Sequence, residues 1–275
     1  MKRFIKRILS DATRSLRVPL PISIALEVIS ILQLLHLILR VMTNYSDDKA
    51  FFFVALLNYG LSYIGQLSPT GLFGESESVL KYIWVIFAAY FVIHIALLLY
   101  IFLFWKIHRE AKQIRLLYFM HWLYLVHSRV IFFVAHFFFI GLLNLYNSSA
   151  NLAFYTKLAF FIPTVIFCVL NASLALIKEL ALYQLLKSRD SYSVKNNLYQ
   201  QVILAHKGVL IIIYFLVQDQ PANTQVCTIM HVAFTILTLM VLYMKFPFYN
   251  ILLMKTSIVL NGIMMAFCFL GILQI

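Results

Sequence analysis

Apolar residues run through this chain in blocks separated by short polar stretches, at about 20–42, 79–105, 131–146, 156–180, 199–217, 226–244 and 252–275. A helix needs about 20 apolar residues to cross a hydrocarbon core, so the pattern predicts an all-α integral membrane bundle of about seven transmembrane helices. The polytopic domain is 19–275, preceded by a separate basic segment over 1–18. Residues 50–67 are apolar but broken by Asn58, Gly60, Ser62 and Gly65, which predicts a re-entrant or interfacial segment rather than a crossing. The stretch 116–128, LLYFMHWLYLVHS, is studded with histidine and aromatics and reads as a helix lying in the interface. The block from Ile131 is short, and residues before Arg129 are available to extend it. Pro163 falls inside the fourth block, where a membrane helix tolerates it if neighbours satisfy the freed carbonyl. The fifth block is the weakest, because His206 and Lys207 interrupt its middle.

Composition agrees. Of 275 residues, 63% are hydrophobic and 12% charged, against roughly 25% charged in soluble domains. Seven crossings use most of the length and leave no room for a separate catalytic domain. Cys168, Cys227 and Cys268 show no CxxC spacing and lie in or beside apolar blocks, so buried free thiols are expected.

The net charge of +12 has its simplest reading in topology rather than in nucleic-acid binding, for which no loop supplies a scaffold. With the N-terminus in the cytoplasm, segments 1–18, 106–129, 187–198 and 245–255 carry 16 Lys and Arg, and the opposite loops carry 3. That is the positive-inside bias, and it places the C-terminus on the other side. Segment 1–18 reads as an amphipathic surface helix; it and 106–128 are the expected contacts for anionic lipid. A mitochondrial presequence is the alternative for 1–18, since it is Arg-rich and nearly free of acids. A plasma-membrane or endomembrane location is otherwise expected. Sequons at Asn44 and Asn147 fall on the outer side, and a third at Asn171 lies inside a span, where it is expected to be silent.

Polar residues inside apolar blocks are the candidate chemistry. Glu27 shares a helix face with Ser23 and Ser30, while Gln33, His36 and Arg40 cluster on an adjacent face. Inserting an ionisable group costs about 2.5–3.5 kcal/mol on translocon scales, so it usually has a partner, and Lys207 is the obvious one by depth. Such a pair lines an ion or proton path, or is a buried structural ion pair. His94, His136 and His231 lie in the second, third and sixth blocks, as proton shuttles or as neutral hydrogen-bonding groups. No two histidines stand at i, i+4, so neither a metal site nor another cofactor is expected. No GxSxG, HExxH or P-loop is present, which points away from an enzyme.

The segment ALEVISILQLLHLIL (25–39) resembles the opening span of ciliate multi-pass membrane proteins, many of which carry PAS sensor domains, and KFPFYN (245–250) is similar to an element of the same proteins. No PAS domain stands within these residues. The inverted seven-span topology also resembles that of insect chemoreceptors, although the chain is short for them and its last block lacks their Thr-Tyr…Gln-Phe ending. With no PAS domain here the ciliate resemblance carries no sensory role, and the chemoreceptor resemblance implies a ligand-gated membrane module. The expectation is therefore a channel-, transporter- or receptor-like membrane protein with a polar seam. Its rival is a structural or assembly subunit of a larger membrane complex; a homo-oligomer fits either.

Overall fold

The computed structural model describes residues 18–43, 77–108, 119, 122–148, 154–177, 197–217, 224–248 and 250–273. Among them the chain is helical, with no strand. The helices are α1 (Leu20–Thr43), α2 (Glu77–His108), α3 (Phe132–Ser148), α4 (Phe154–Ile177), α5 (Leu198–Val217), α6 (Thr224–Lys245) and α7 (Ile251–Leu273). A π-helical segment, His127–Ile131, runs into α3 without a break.

Among the described residues, five helical stretches are long and apolar enough to cross a membrane: Leu20–Leu39, Trp122–Leu143, Leu198–Phe215, Gln225–Lys245 and Ile251–Leu270. In α2 and α4 the apolar stretches are shorter, Trp84–Leu97 and Phe161–Leu176. This is the make-up of a multi-pass membrane protein. The segments 1–17, 44–76 and 109–118 lie outside the described residues, and with them the expected surface helix, the 50–67 segment and Asn44.

One expectation is overturned. From Trp122 onward the presumed interfacial stretch is part of a continuous apolar helix, and Tyr124, Leu125, His127 and Ser128 are buried. Arg129, assigned above to water, is only 2% exposed. The physical reason is partnership: His127 bonds the Tyr90 hydroxyl and the Asn171 carbonyl, Ser128 the Leu125 carbonyl of its own helix, and Arg129 faces Glu27.

Neighbouring helices alternate in direction. Phe87 of α2 packs against Phe138 and Phe139 at 5.4 and 5.6 Å, whereas His94, two turns later, meets Tyr124 at 5.0 Å. Advancing along α2 thus means retreating along α3. The same inversion relates α3 and α4, where His127 meets Asn171 and His136 meets Cys168. By contrast, α5 runs parallel to α3, with Lys207 against Arg129 and Tyr214 against Phe137. It also runs parallel to α1, with Tyr199 against Glu27 and Lys207 against Gln33.

The core has two lobes either side of α3. The larger joins α1, α5, α6 and α7 through residues such as Leu34, Leu37, Ile211 and Leu242. The smaller is an aromatic stack of Phe91, Phe138 and Phe139 with Phe167 packed against it. Outward faces are also apolar, as at Val85, Ile86, Val92 and Ile93 on α2 and Ile166 and Val169 on α4. Apolar residues outside as well as inside suit helices solvated by hydrocarbon.

The link between α6 and α7 is a built corner. Phe246 takes a left-handed backbone conformation (φ 41°) that ends α6, just before Pro247. Phe248 is buried, with its ring 5.2 Å from that of Tyr199. Asn250 caps α7, its Oδ1 accepting the Leu252 and Leu253 amides at 2.9 and 3.2 Å.

Candidate functional site

A buried polar seam is built from α1, α5, α7 and the π-helical segment. Its first layer surrounds Glu27, which is 1% exposed. The Tyr199 hydroxyl donates to Glu27 Oε1, and so does Ser257 Oγ at 3.2 Å. Asn261 lies one helical turn beyond Ser257; its Nδ2 donates to the Tyr199 hydroxyl at 3.3 Å and to the Ser257 carbonyl at 2.7 Å. The Arg129 guanidinium faces Glu27 Oε2 at 3.9 Å. This carboxylate is therefore held by two hydroxyls and one cation drawn from three parts of the chain.

The second layer is made by the main chain of the π-helical segment. Winding with i→i+5 hydrogen bonds widens the helix and offers carbonyls to outside donors. Lys207 Nζ donates to the Arg129 carbonyl and to Gln33 Oε1, both at 2.8 Å. Gln33 Nε2 donates to the Val130 carbonyl at 3.1 Å. From the opposite side, Asn171 Nδ2 donates to the Phe132 carbonyl at 3.1 Å. Three carbonyls within four residues thus accept side-chain donors from α5, α1 and α4. Arg129 belongs to both layers, its guanidinium turned to Glu27 and its carbonyl bonded by Lys207.

The structure thereby brings together Glu27, Gln33 and Lys207, three of the residues singled out from the sequence, though in a different pairing. The cation opposite Glu27 is Arg129, and Lys207 donates to Gln33 Oε1 and to the Arg129 carbonyl. His36 is buried on α1, one turn past Gln33. The other histidines lie elsewhere. His136 stacks on Phe132 at 5.1 Å and has its Nδ1 3.4 Å from Cys168 Sγ. His94 is fully buried among Tyr90, Tyr124 and His127, at ring-centroid distances of 5.0 to 5.8 Å. His127 in turn bonds the Tyr90 hydroxyl at 2.9 Å and the Asn171 carbonyl at 3.2 Å. His231 meets His206, Nδ1 to Nε2, at 3.1 Å. One ring supplies the hydrogen of that contact and the other the lone pair. Asn171 is buried, and Asn147 falls in the last turn of α3.

Sequence reasoning missed Arg129, Tyr199, Ser257, Asn261 and Gln200. Gln200 is 2% exposed, and neither its Nε2 nor its Oε1 has a hydrogen-bond partner among the described residues. Glu27 Oε2 and Asn261 Oδ1 also lack hydrogen-bond partners there. Leaving a buried polar atom unsatisfied costs about 1–3 kcal/mol, so each needs an explanation. The described residues hold no group of three or more His, Cys, Asp and Glu that could bind a metal ion. The three cysteines are free thiols. No protein-family model, curated protein or solved structure matches this chain.

Proposed function

We propose that this is a multi-pass membrane protein of the channel, transporter or receptor type, in which the seam around Glu27, Arg129 and Lys207 is a path or gate for an ion. One observation carries the reading. Three charged side chains from α1, the π-helical segment and α5 lie together inside apolar helices, near buried polar atoms with no hydrogen-bond partner among the described residues. Intramembrane charges are costly to insert, and ion and substrate paths are among the features they mark. π-helical turns are likewise concentrated at functional sites.

The proposed topology is seven spans, with the N-terminus cytoplasmic and the C-terminus opposite. The alternating directions of α1 to α5 support it, because an extra crossing within 44–76 would set α1 antiparallel to α5. With Arg129 moved inside, the cation bias falls by one to 15 against 3 and keeps its sign. The basic segments 1–18 and 106–118 then face the cytoplasmic leaflet, where anionic lipid would hold them.

The rival reading, a structural subunit of a larger complex, draws support from the close bonding of Lys207 to Gln33 and the Arg129 carbonyl, and of Glu27 to Tyr199 and Ser257. Solvent access separates the two. In a background without the native cysteines, Gln200→Cys should react with a membrane-impermeant thiol reagent in intact vesicles if the seam is hydrated. A thiol that reacts only after unfolding would favour the structural role.

A further inference from the structure

We propose that the buried pair His206–His231 is a proton relay. This rests on the transport-type reading above and names its ion as the proton. The rings belong to α5 and α6, are 0% and 1% exposed, and meet through His206 Nε2 and His231 Nδ1 at 3.1 Å. A neutral imidazole carries one N–H and one lone pair, so one ring donates in this contact and the other accepts. The outer nitrogen of the donor ring is then a bare lone pair, and that of the acceptor ring carries an N–H. Those outer nitrogens, His206 Nδ1 and His231 Nε2, are buried and have no hydrogen-bond partner among the described residues. The pair thus ends in one acceptor and one donor, which is what a proton needs to enter at one end and leave at the other.

A bond that only held α5 to α6 would require the inner nitrogens alone. Leaving each outer nitrogen unsatisfied would then cost about 1–3 kcal/mol for no purpose. Other buried histidines lack this arrangement. His127 Nε2 faces the Asn171 carbonyl and must donate to it, so its Nδ1 accepts from the Tyr90 hydroxyl. That chain ends on a carbonyl, which has no proton to pass on. His136 Nδ1 meets the Cys168 thiol. Among the described residues, His206 and His231 are the two imidazoles hydrogen-bonded to each other.

The step balances. Water delivers a proton to the bare outer nitrogen of the donor ring, and the hydrogen on its inner nitrogen crosses the contact to the second ring. The hydrogen on the second ring's outer nitrogen leaves to water. Each ring forms one N–H bond and breaks one, and both finish in the other tautomer, which a ring turn resets. Tyrosine aside, the buried ionisable groups besides the pair on α1, α3, α5, α6 and α7 are Glu27, His36, His136, Lys207, Cys227 and Cys268. The charge of Lys207, the next residue in the chain, acts on the His206 ring. Like charges that close repel, which favours passage, one proton entering as another leaves, over storage of a proton on the pair.

The test measures proton flux through the full chain in proteoliposomes, with a pH dye inside and a set membrane potential. Wild-type protein should carry protons above the protein-free level. His206→Gln and His231→Asn each keep a hydrogen-bonding atom near the inner nitrogen but offer no imidazole to relay through. Both should keep an unfolding temperature close to wild type and lose proton flux by about a hundredfold, the lower end of what a positioned acid–base group contributes. A purely structural pair predicts the reverse, folded variants with unchanged flux. Should an amide variant not fold, His206→Phe takes its place, since a phenyl ring retains the stacking on Phe234. Proton flux unchanged in these variants, or absent while another ion is carried, overturns the relay and leaves the transport reading standing. Proton flux that needs the pair but survives Glu27→Gln and Lys207→Gln keeps the relay and removes the seam as the path. No flux of any ion sinks both.

Discussion

Lys207 of α5 donates to the main-chain carbonyl of Arg129, 78 residues away, at 2.8 Å. This bond joins a buried cation to a turn of helix wound with the wrong period for an α-helix. The widened turn offers the carbonyl, and the ammonium supplies it with a donor. Gln33 completes the arrangement, accepting from Lys207 and donating to the next carbonyl, that of Val130. The π-helical segment is thus stabilised by side chains remote in sequence.

Removing Lys207 tests this directly. Lys207→Met leaves Gln33 Oε1 and the Arg129 carbonyl short of a donor, and should destabilise the protein by about 2–3 kcal/mol. Gln33→Leu should cost less in the Lys207→Met background than in the wild type. The coupling should be between about 0.6 and about 2 kcal/mol, the range for interhelical hydrogen bonds in membranes and for bonds to charged groups. A double-mutant cycle followed by unfolding in mixed micelles measures it, and strict additivity would separate the two residues.

Tyr199→Phe deletes the hydroxyl that donates to Glu27 and accepts from Asn261. Ser257 still reaches Glu27 Oε1, and Asn261 keeps the Ser257 carbonyl. The expected loss is therefore about 1–3 kcal/mol rather than failure to fold. Ser257→Ala in the same background should add to that loss, read from the same unfolding transition.

Asn250→Ala removes the side-chain acceptor for two amides at the start of α7. A lost cap typically costs about 1 kcal/mol. Asn250→Asp and Asn250→Ser should restore most of it, because either side chain supplies the oxygen. Thermal unfolding of the four proteins ranks them.

The proposed seven-span topology predicts sidedness. Reporters at the N-terminus and within 109–118 should lie on one face of the membrane, and reporters within 44–76 and at the C-terminus on the other. Protease protection or a site-directed fluorescence assay reads this out. Finding both ends on one face would remove the seven-span arrangement.

How much of this was legible in the sequence depends on range. The helices could be placed because apolar blocks of crossing length are bounded by charge, a signal local to each block. Glu27, Gln33 and Lys207 stood out for the same reason, as polar residues within apolar runs. Arg129 was misplaced because it divides two apolar runs and so looks like a loop terminus. Its burial depends on Glu27, about a hundred residues earlier, and the sequence does not show that contact. Tyr199, Ser257 and Asn261 gave no signal, since tyrosine, serine and asparagine occur widely in this chain. Nor did the π-helical winding, whose carbonyls are bonded by donors from other helices. His127 was a hint misread: it marked a partner inside the bundle rather than an interface.

The most direct measurement is ion flux through the purified full chain in proteoliposomes, driven by a set membrane potential and compared with protein-free vesicles. If the seam is a path, wild-type protein conducts above the protein-free level, and Glu27→Gln and Lys207→Gln each change that flux by about tenfold or more, the scale expected when a charge in a conduit is removed. Flux indistinguishable from protein-free vesicles, or flux that neither substitution alters, would contradict the account and leave the seam as architecture.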